Sequence, residues 1–250
     1  FDDQINMPEY NLGESSTAGL IFKGFAGGFD FSLSYVWGRD GMPFSTYNTI
    51  TPVDTTDGIK IDSQLSFYRT HIFGADLAGS IIGIGVWAEA AVFLPENEII
   101  MTNDFSSLFP MSPVPVTQDT TILDKKPYVK FILGADYNFS NGGYLNVQYL
   151  HGFINEIGTD ALNDYLFLRF EKRVLGDKLK ITPVNGGFIV SDWDDVAHNF
   201  AIVYVPEISY MATDNVEITL SAAIFDGKGD NLFANFKDYN MMMFRLKYSF

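Results

Sequence analysis

The sequence predicts an all-β chain, a transmembrane antiparallel up-and-down β-barrel with about eleven strands in these 250 residues. Three observations carry that expectation. Apolar and polar residues alternate with period two over segments of roughly 9 to 14 residues, the length of a tilted membrane strand. The connectors between the segments alternate short and long. No stretch approaches the roughly 18 uninterrupted apolar residues of a membrane helix, although 47% of the chain is hydrophobic. A chain of this kind that spans a membrane does so as a barrel.

Taken in order, Ala18 to Phe25 and Phe29 to Trp37 are the first strands, the second setting Phe29, Phe31, Leu33, Tyr35 and Trp37 against Asp30, Ser32 and Ser34. Ser63 to Leu77 fits less well, since Arg69 and His71 share the face of Phe67 and Phe73; a β-bulge that flips the register is expected there. Ile82 to Val92 places Ile82, Ile84, Val86, Ala88, Ala90 and Val92 opposite Gly83, Gly85, Trp87, Glu89 and Ala91. Val129 to Phe139 is the clearest, with Val129, Phe131, Leu133, Ala135, Tyr137 and Phe139 on one face and Lys130, Ile132, Gly134, Asp136 and Asn138 on the other. Tyr144 to Phe153, Leu166 to Phe170, Phe200 to Met211 and Val216 to Phe225 follow. Leu179 to Val190 is interrupted by Pro183 and by Gly186 and Gly187. The closing strand, Met241 to Phe250, puts Met242, Phe244, Leu246, Tyr248 and Phe250 opposite Met241, Met243, Arg245, Lys247 and Ser249.

Five connectors are expected to be tight: Ala26-Gly27-Gly28, Ala78-Gly79-Ser80, Ser140-Asn141-Gly142-Gly143, Leu175-Gly176-Asp177 and Thr213-Asp214-Asn215, all of turn-forming types. Those between them are longer, Gly38 to Asp62 and Pro95 to Lys126 by far the longest. Short turns on one side and long loops on the other is the layout of bacterial membrane barrels, and a soluble β-sandwich seldom sorts its loops this way.

The terminal Lys247-Tyr248-Ser249-Phe250, the turn Phe139 to Gly143 and the strand–turn–strand Pro206 to Leu220 resemble the C-terminal part of porin-like outer-membrane β-barrels of Gram-negative bacteria. The resemblance implies an outer-membrane location and passive diffusion of small hydrophilic solutes or ions. It also implies a terminal signal, Tyr248 and Phe250, read by the barrel-assembly machinery. Partners implied are outer-membrane lipid and lipopolysaccharide, with a homo-oligomer or a surface protein partner possible. If the last strand ends in the periplasm, the parity of eleven strands puts residues 1–16 outside the cell and makes 17–250 the C-terminal part of a single barrel domain. The parent barrel is then expected to have twelve or more strands. The missing initiator Met agrees with a processed or partial sequence.

With the aliphatic face toward lipid, the lumen-facing charges are Lys23, Lys130, Arg169, Lys180, Arg245 and Lys247 against Asp30, Glu89, Asp136, Glu171, Glu207 and Glu217. Excess acid sits in the N-terminal segment (Asp2, Asp3, Glu9, Glu14) and in connectors, at Asp54, Asp57, Glu96, Glu98, Glu156, Asp160, Asp192, Asp194 and Asp195. It reads either as a solvated surface or as a cation-attracting funnel. Aromatics gather toward strand ends, Tyr35, Trp37 and Tyr204 toward the outer rim, Tyr137, Tyr210 and Tyr248 toward the other. The long connector carries an apolar stretch, Phe105, Leu108, Phe109 and Met111, which folds back as a constriction or packs on a partner or on neighbouring loops.

Other chemistries are poorly represented. Cysteine is absent, which excludes disulfides, thiolate metal sites and Cys nucleophiles. A net charge of −15 argues against a nucleic-acid partner. His71, His151 and His198 are scattered, no metal or cofactor is expected, and neither G-x-S-x-G nor H-E-x-x-H occurs, so no enzyme is expected. The alternative to a channel is a structural or docking barrel whose acidic loops bind another surface component.

Overall fold

The computed structural model describes residues 4–6, 13, 15–53 and 58–250, the first group by backbone alone. The acidic positions Asp2, Asp3, Glu9, Glu14, Asp54 and Asp57 lie outside the described residues. The strands are β1 (Gln4–Asn6), β2 (Ala18–Ala26), β3 (Phe29–Arg39), β4 (Phe44–Pro52), β5 (Ile59–Ser66), β6 (Arg69–Ile81), β7 (Ile84–Pro95), β8 (Ile99–Asp104), β9 (Thr117–Leu123), β10 (Tyr128–Asn138), β11 (Gly143–His151), β12 (Asp164–Val174), β13 (Leu179–Val190), β14 (Phe200–Tyr204), β15 (Glu207–Thr213), β16 (Val216–Lys228) and β17 (Met241–Tyr248). Two 3-10 turns, Ser106–Leu108 and Ala234–Phe236, complete the elements; the chain is all-β.

Twelve strands form one large antiparallel sheet in the order β2, β3, β6, β7, β10, β11, β12, β13, then β14 with β15, β16 and β17. β14 and β15 are one crossing. Both pair with β13 and with β16, and their register against β16 runs through Val205 and Pro206 without a shift. Pro206 has no N–H to give the ladder but still accepts from Ala222 N at 3.2 Å. Among the described residues the chain therefore crosses the sheet eleven times, each crossing beside the last, at the eleven places read from the alternation. The outermost strands, β2 and β17, are paired on one side only and exposed along most of their length.

All five short connections lie at one end of the sheet. Gly27–Gly28 and Ile82–Gly83 are two-residue turns with positive φ at both positions, 61° and 86° in the first, 51° and 80° in the second. Residues 139–142, 175–178 and 214–215 make the others. The turn expected at Ala78-Gly79-Ser80 is displaced: those residues continue β6 and pair with Trp87, Val86 and Gly85. Gly79 is needed there because the Phe29 ring of β3 lies across it, leaving no room for a side chain.

The expected strand Ser63 to Leu77 divides at Phe67–Tyr68, and no bulge flips the register after it. β6 pairs continuously with β3 and β7, so Arg69 and His71 stay on the face of Phe73, at its loop end. β5 belongs to a second sheet, ordered β1, β5, β4, β8, β9 and built from the longest connectors together with Gln4–Asn6. Its β4–β8 and β1–β5 pairings are parallel. Tyr68, Ile99, Leu123 and Tyr128 form a buried cluster that ties this loop sheet to the ends of β6 and β10. Burial, with the Tyr128 hydroxyl beside it, drives the Tyr68 phenol pKa far above its ordinary value.

The two faces of the large sheet are inverted relative to a water-soluble protein. Ser209 and Thr219 keep 3% and 2% of their surface, while their chain neighbours Ile208 and Leu220 keep 49% and 47%. Ser32, Thr70, Glu171 and Thr182 are buried likewise, and Leu33, Phe73, Leu133, Leu166, Ile202 and Phe244 are exposed on the opposite face. That apolar face runs from β2 to β17, far beyond the few hundred Å² of apolar patch usual on a soluble protein.

Candidate functional site: the polar face and its covering loops

Strand pairing puts Lys23, Asp30, Glu89, Lys130, Asp136, Arg169, Glu171, Glu207, Glu217, Arg245 and Lys247 on the same polar face of the sheet. One row of direct neighbours reads Lys23, Ser32, Asp76, Glu89, Ile132, Leu150, Tyr165, Ile189 and Ala201. It begins charged and ends apolar.

The charges are also unevenly spread along the sheet. Asp30, Asp76, Glu89 and Asp136 outnumber Lys23 and Lys130 on β2 to β10; Arg169, Arg173, Lys180, Arg245 and Lys247 outnumber Glu171, Glu207 and Glu217 on β12 to β17. Ion pairs close the basic half. Glu171 accepts from Arg169 Nη2 at 2.8 Å and Arg173 Nε at 3.0 Å, and Lys180 Nζ stands 2.9 Å from Glu207. In the acidic half the partners are hydroxyls: Ser32 donates to Asp76 and Tyr144 donates to Asp136 at 3.2 Å. A recess of about 660 Å³ opens beside Asn146, Gln148, Arg169, Glu171 and Arg173. Asp76 and Arg173 join this face beyond the charges expected from the sequence; period two places both, Asp76 opposite Phe73 and Leu77 on β6 and Arg173 two positions beyond Glu171 on β12.

Two connectors fold over the apolar end of this face. Phe153 from 152–163, with Phe233 and Ala234 from 229–240, packs on Tyr165, Ile189 and Ala201. Glu156 fastens the first connector, accepting from Phe153 N at 2.7 Å, Asn163 N at 3.0 Å and the Tyr165 hydroxyl. Lys130 Nζ adds a bond to Phe153 O at 2.7 Å.

The apolar stretch of the longest connector lies elsewhere. The 3-10 turn at Ser106–Leu108 rests against β4 of the loop sheet, Phe105 and Leu108 are half-buried, and Phe109 and Met111 are exposed. Beside it, hydrogen bonds from Ser106 and then Tyr47 hold the Asp104 carboxyl below its ordinary pKa. At the chain end Tyr248 pairs with Val216, and Phe250 projects past the strand fully exposed.

The rim of the apolar face carries two similar networks. Tyr35 OH meets His71 Nδ1 at 2.8 Å, His71 Nε2 lies 3.4 Å from Glu96, and Trp37 Nε1 donates to Glu96 at 2.6 Å. Tyr149 OH and His151 Nδ1 lie 2.6 and 2.8 Å from Asp164, which also accepts from Trp193 Nε1. His151 thus partners Asp164, while Glu156 is taken up by its own loop. His198 Nδ1 meets Asp195, at 2.9 Å. Tyr204 falls nearer mid-strand than the rim, its hydroxyl on Pro183 O at 2.7 Å. No group of three or more His, Cys, Asp or Glu gathers to hold a metal among the described residues. No protein-family model and no curated protein sequence matches the chain.

Proposed function

We propose that this chain is the membrane-spanning part of a porin-like outer-membrane barrel, which passes small hydrophilic solutes or ions. The observation that carries the reading is the inversion of the sheet: a continuous apolar face fit for lipid, backed by buried hydroxyls and ion pairs fit for a wet lumen. The sorting of turns and loops to opposite ends, and the Tyr and Trp networks at the loop-side rim, support it.

β2 and β17 run in the same direction, because ten successive antiparallel steps separate them. An all-antiparallel closure between them takes an odd number of further strands, which agrees with a parent barrel of twelve or more. In the closed barrel the acidic strands and the basic strands would line different arcs of one passage. Reconstituted into planar bilayers, the protein should give stepwise current increments; a folded, inserted protein that passes no current would reject the reading.

A docking role is favoured by one observation, the ordering of the long connectors into a five-stranded sheet at the loop end. Such a platform can present Glu98, Asp119 and Asp124 to a basic surface component. An inserted but non-conducting barrel that purifies with a stoichiometric partner would select this reading.

A further inference from the structure

The polar face is hydrophilic toward its turn end, but Leu150, Tyr165, Ile189 and Ala201 make its loop end apolar. On an open water-filled wall these side chains would be wet. Instead Tyr165 and Ile189 keep 2% and 0% of their surface. Part of their cover is the connector 229–240, whose Phe233 ring lies edge-on to Tyr165 and to Phe153, with centroids 6.2 and 6.1 Å apart.

That connector is fastened so as to stay over the face. It leaves β16 through Gly229, at φ +83°, where a side chain would meet His198 O at 2.9 Å. Asn231, only 5% exposed, accepts from Ala234 N at 2.8 Å. Further along, Phe236 packs on Phe225 of β16 at 5.8 Å, and Asn240 Oδ1 accepts from Phe225 N at 2.7 Å. The opposing connector is pinned by Lys130 and Glu156. Two loops thus meet over one apolar band, and rings form the contact.

We infer that the connector 229–240, seated by Phe233 and Ala234 on Tyr165 and Ile189, forms the narrow, aromatic section of the channel and sets its conductance. This rests on the channel reading above. An apolar constriction limits flow both by its bore and by its poor wetting.

The absence of cysteine makes a clean test possible, because a single introduced thiol is the sole target of a thiol reagent. Leu232, exposed on this connector, and Met111, exposed on the longest connector, are replaced separately in Leu232→Cys and Met111→Cys. Each variant is reconstituted in planar bilayers and labelled with an anionic methanethiosulfonate after insertion, so that folding is complete before the perturbation. Labelling at Leu232→Cys should lower single-channel conductance in discrete steps, and labelling at Met111→Cys should leave it unchanged. Phe233→Ala should raise conductance. A channel whose current ignores the label at Leu232→Cys, or responds only to the label at Met111→Cys, overturns this inference and leaves the channel reading standing. No current from the unsubstituted protein overturns both.

Discussion

Trp87 covers Gly134, its direct partner on the neighbouring strand: a Cβ added to Gly134 would stand 2.1 Å from Trp87 Cε2. The same in-register pairing recurs in Gly24 with Phe31, Gly79 with Phe29 and Gly187 with Phe167. In each the ring shields backbone that the glycine leaves bare. Gly134→Val should therefore displace the indole and destabilise the sheet by about 1–3 kcal/mol. Urea titration of the protein in lipid vesicles reads the loss, and an unchanged midpoint would contradict this packing.

Leu133 sits midway along β10 on the apolar face and is half exposed. Leu133→Arg should cost about 2–4 kcal/mol of stability in vesicles if that residue faces the bilayer midplane. Gln148→Arg, on the polar face of the adjoining strand, should be tolerated. Equal effects of the two changes would argue against the assignment of faces.

Glu171 is the hub of the basic half, one carboxylate shared by two guanidiniums. Glu171→Gln should destabilise by about 1–3 kcal/mol, since both arginines retain contact with solvent and the pair is not fully buried. It should also shift the reversal potential in a salt gradient toward anions, by removing a negative charge from the polar face. A shift toward cations would contradict the placement.

Asp104 gives the loop sheet an acid-sensitive contact. Its carboxyl pKa is lowered, so its bonds to Ser106 and Tyr47 contribute above the usual carboxylate range and are lost only as pH falls through the lowered value. The Ser106 amide resonance should titrate below that usual range, and Asp104→Asn should abolish the transition. A midpoint at or above the usual value would contradict the arrangement.

The strands were legible because the two faces of the sheet differ in polarity, which imposes period two on the crossings, as Val129 to Phe139 shows with Ile132 as its one apolar residue on the polar face. The turn after β6 was not. Its first residue, Ile82, adopts φ +51°, a conformation turn statistics assign to Gly, Asn or Asp, while Ala78-Gly79-Ser80 carries turn-forming residues inside a strand. The loop sheet was hidden because β4 pairs β8 across two strands of the large sheet, and nothing local marks such a partner. The polar face was legible residue by residue, but its separation into acidic and basic halves appears only once Asp76 and Arg173 are placed. The seating of 229–240 left one trace, the apolar residues Leu232, Phe233, Ala234, Phe236 and Tyr239 set among polar ones in the connector.

The central claim is that the buried hydroxyls and ion pairs of the polar face border a water-filled passage. Single-channel recording from the protein in planar bilayers tests it most directly. Uniform stepwise currents are expected, with cations preferred because acidic residues dominate the connectors. Protein that inserts and resists urea yet passes no current would contradict the claim.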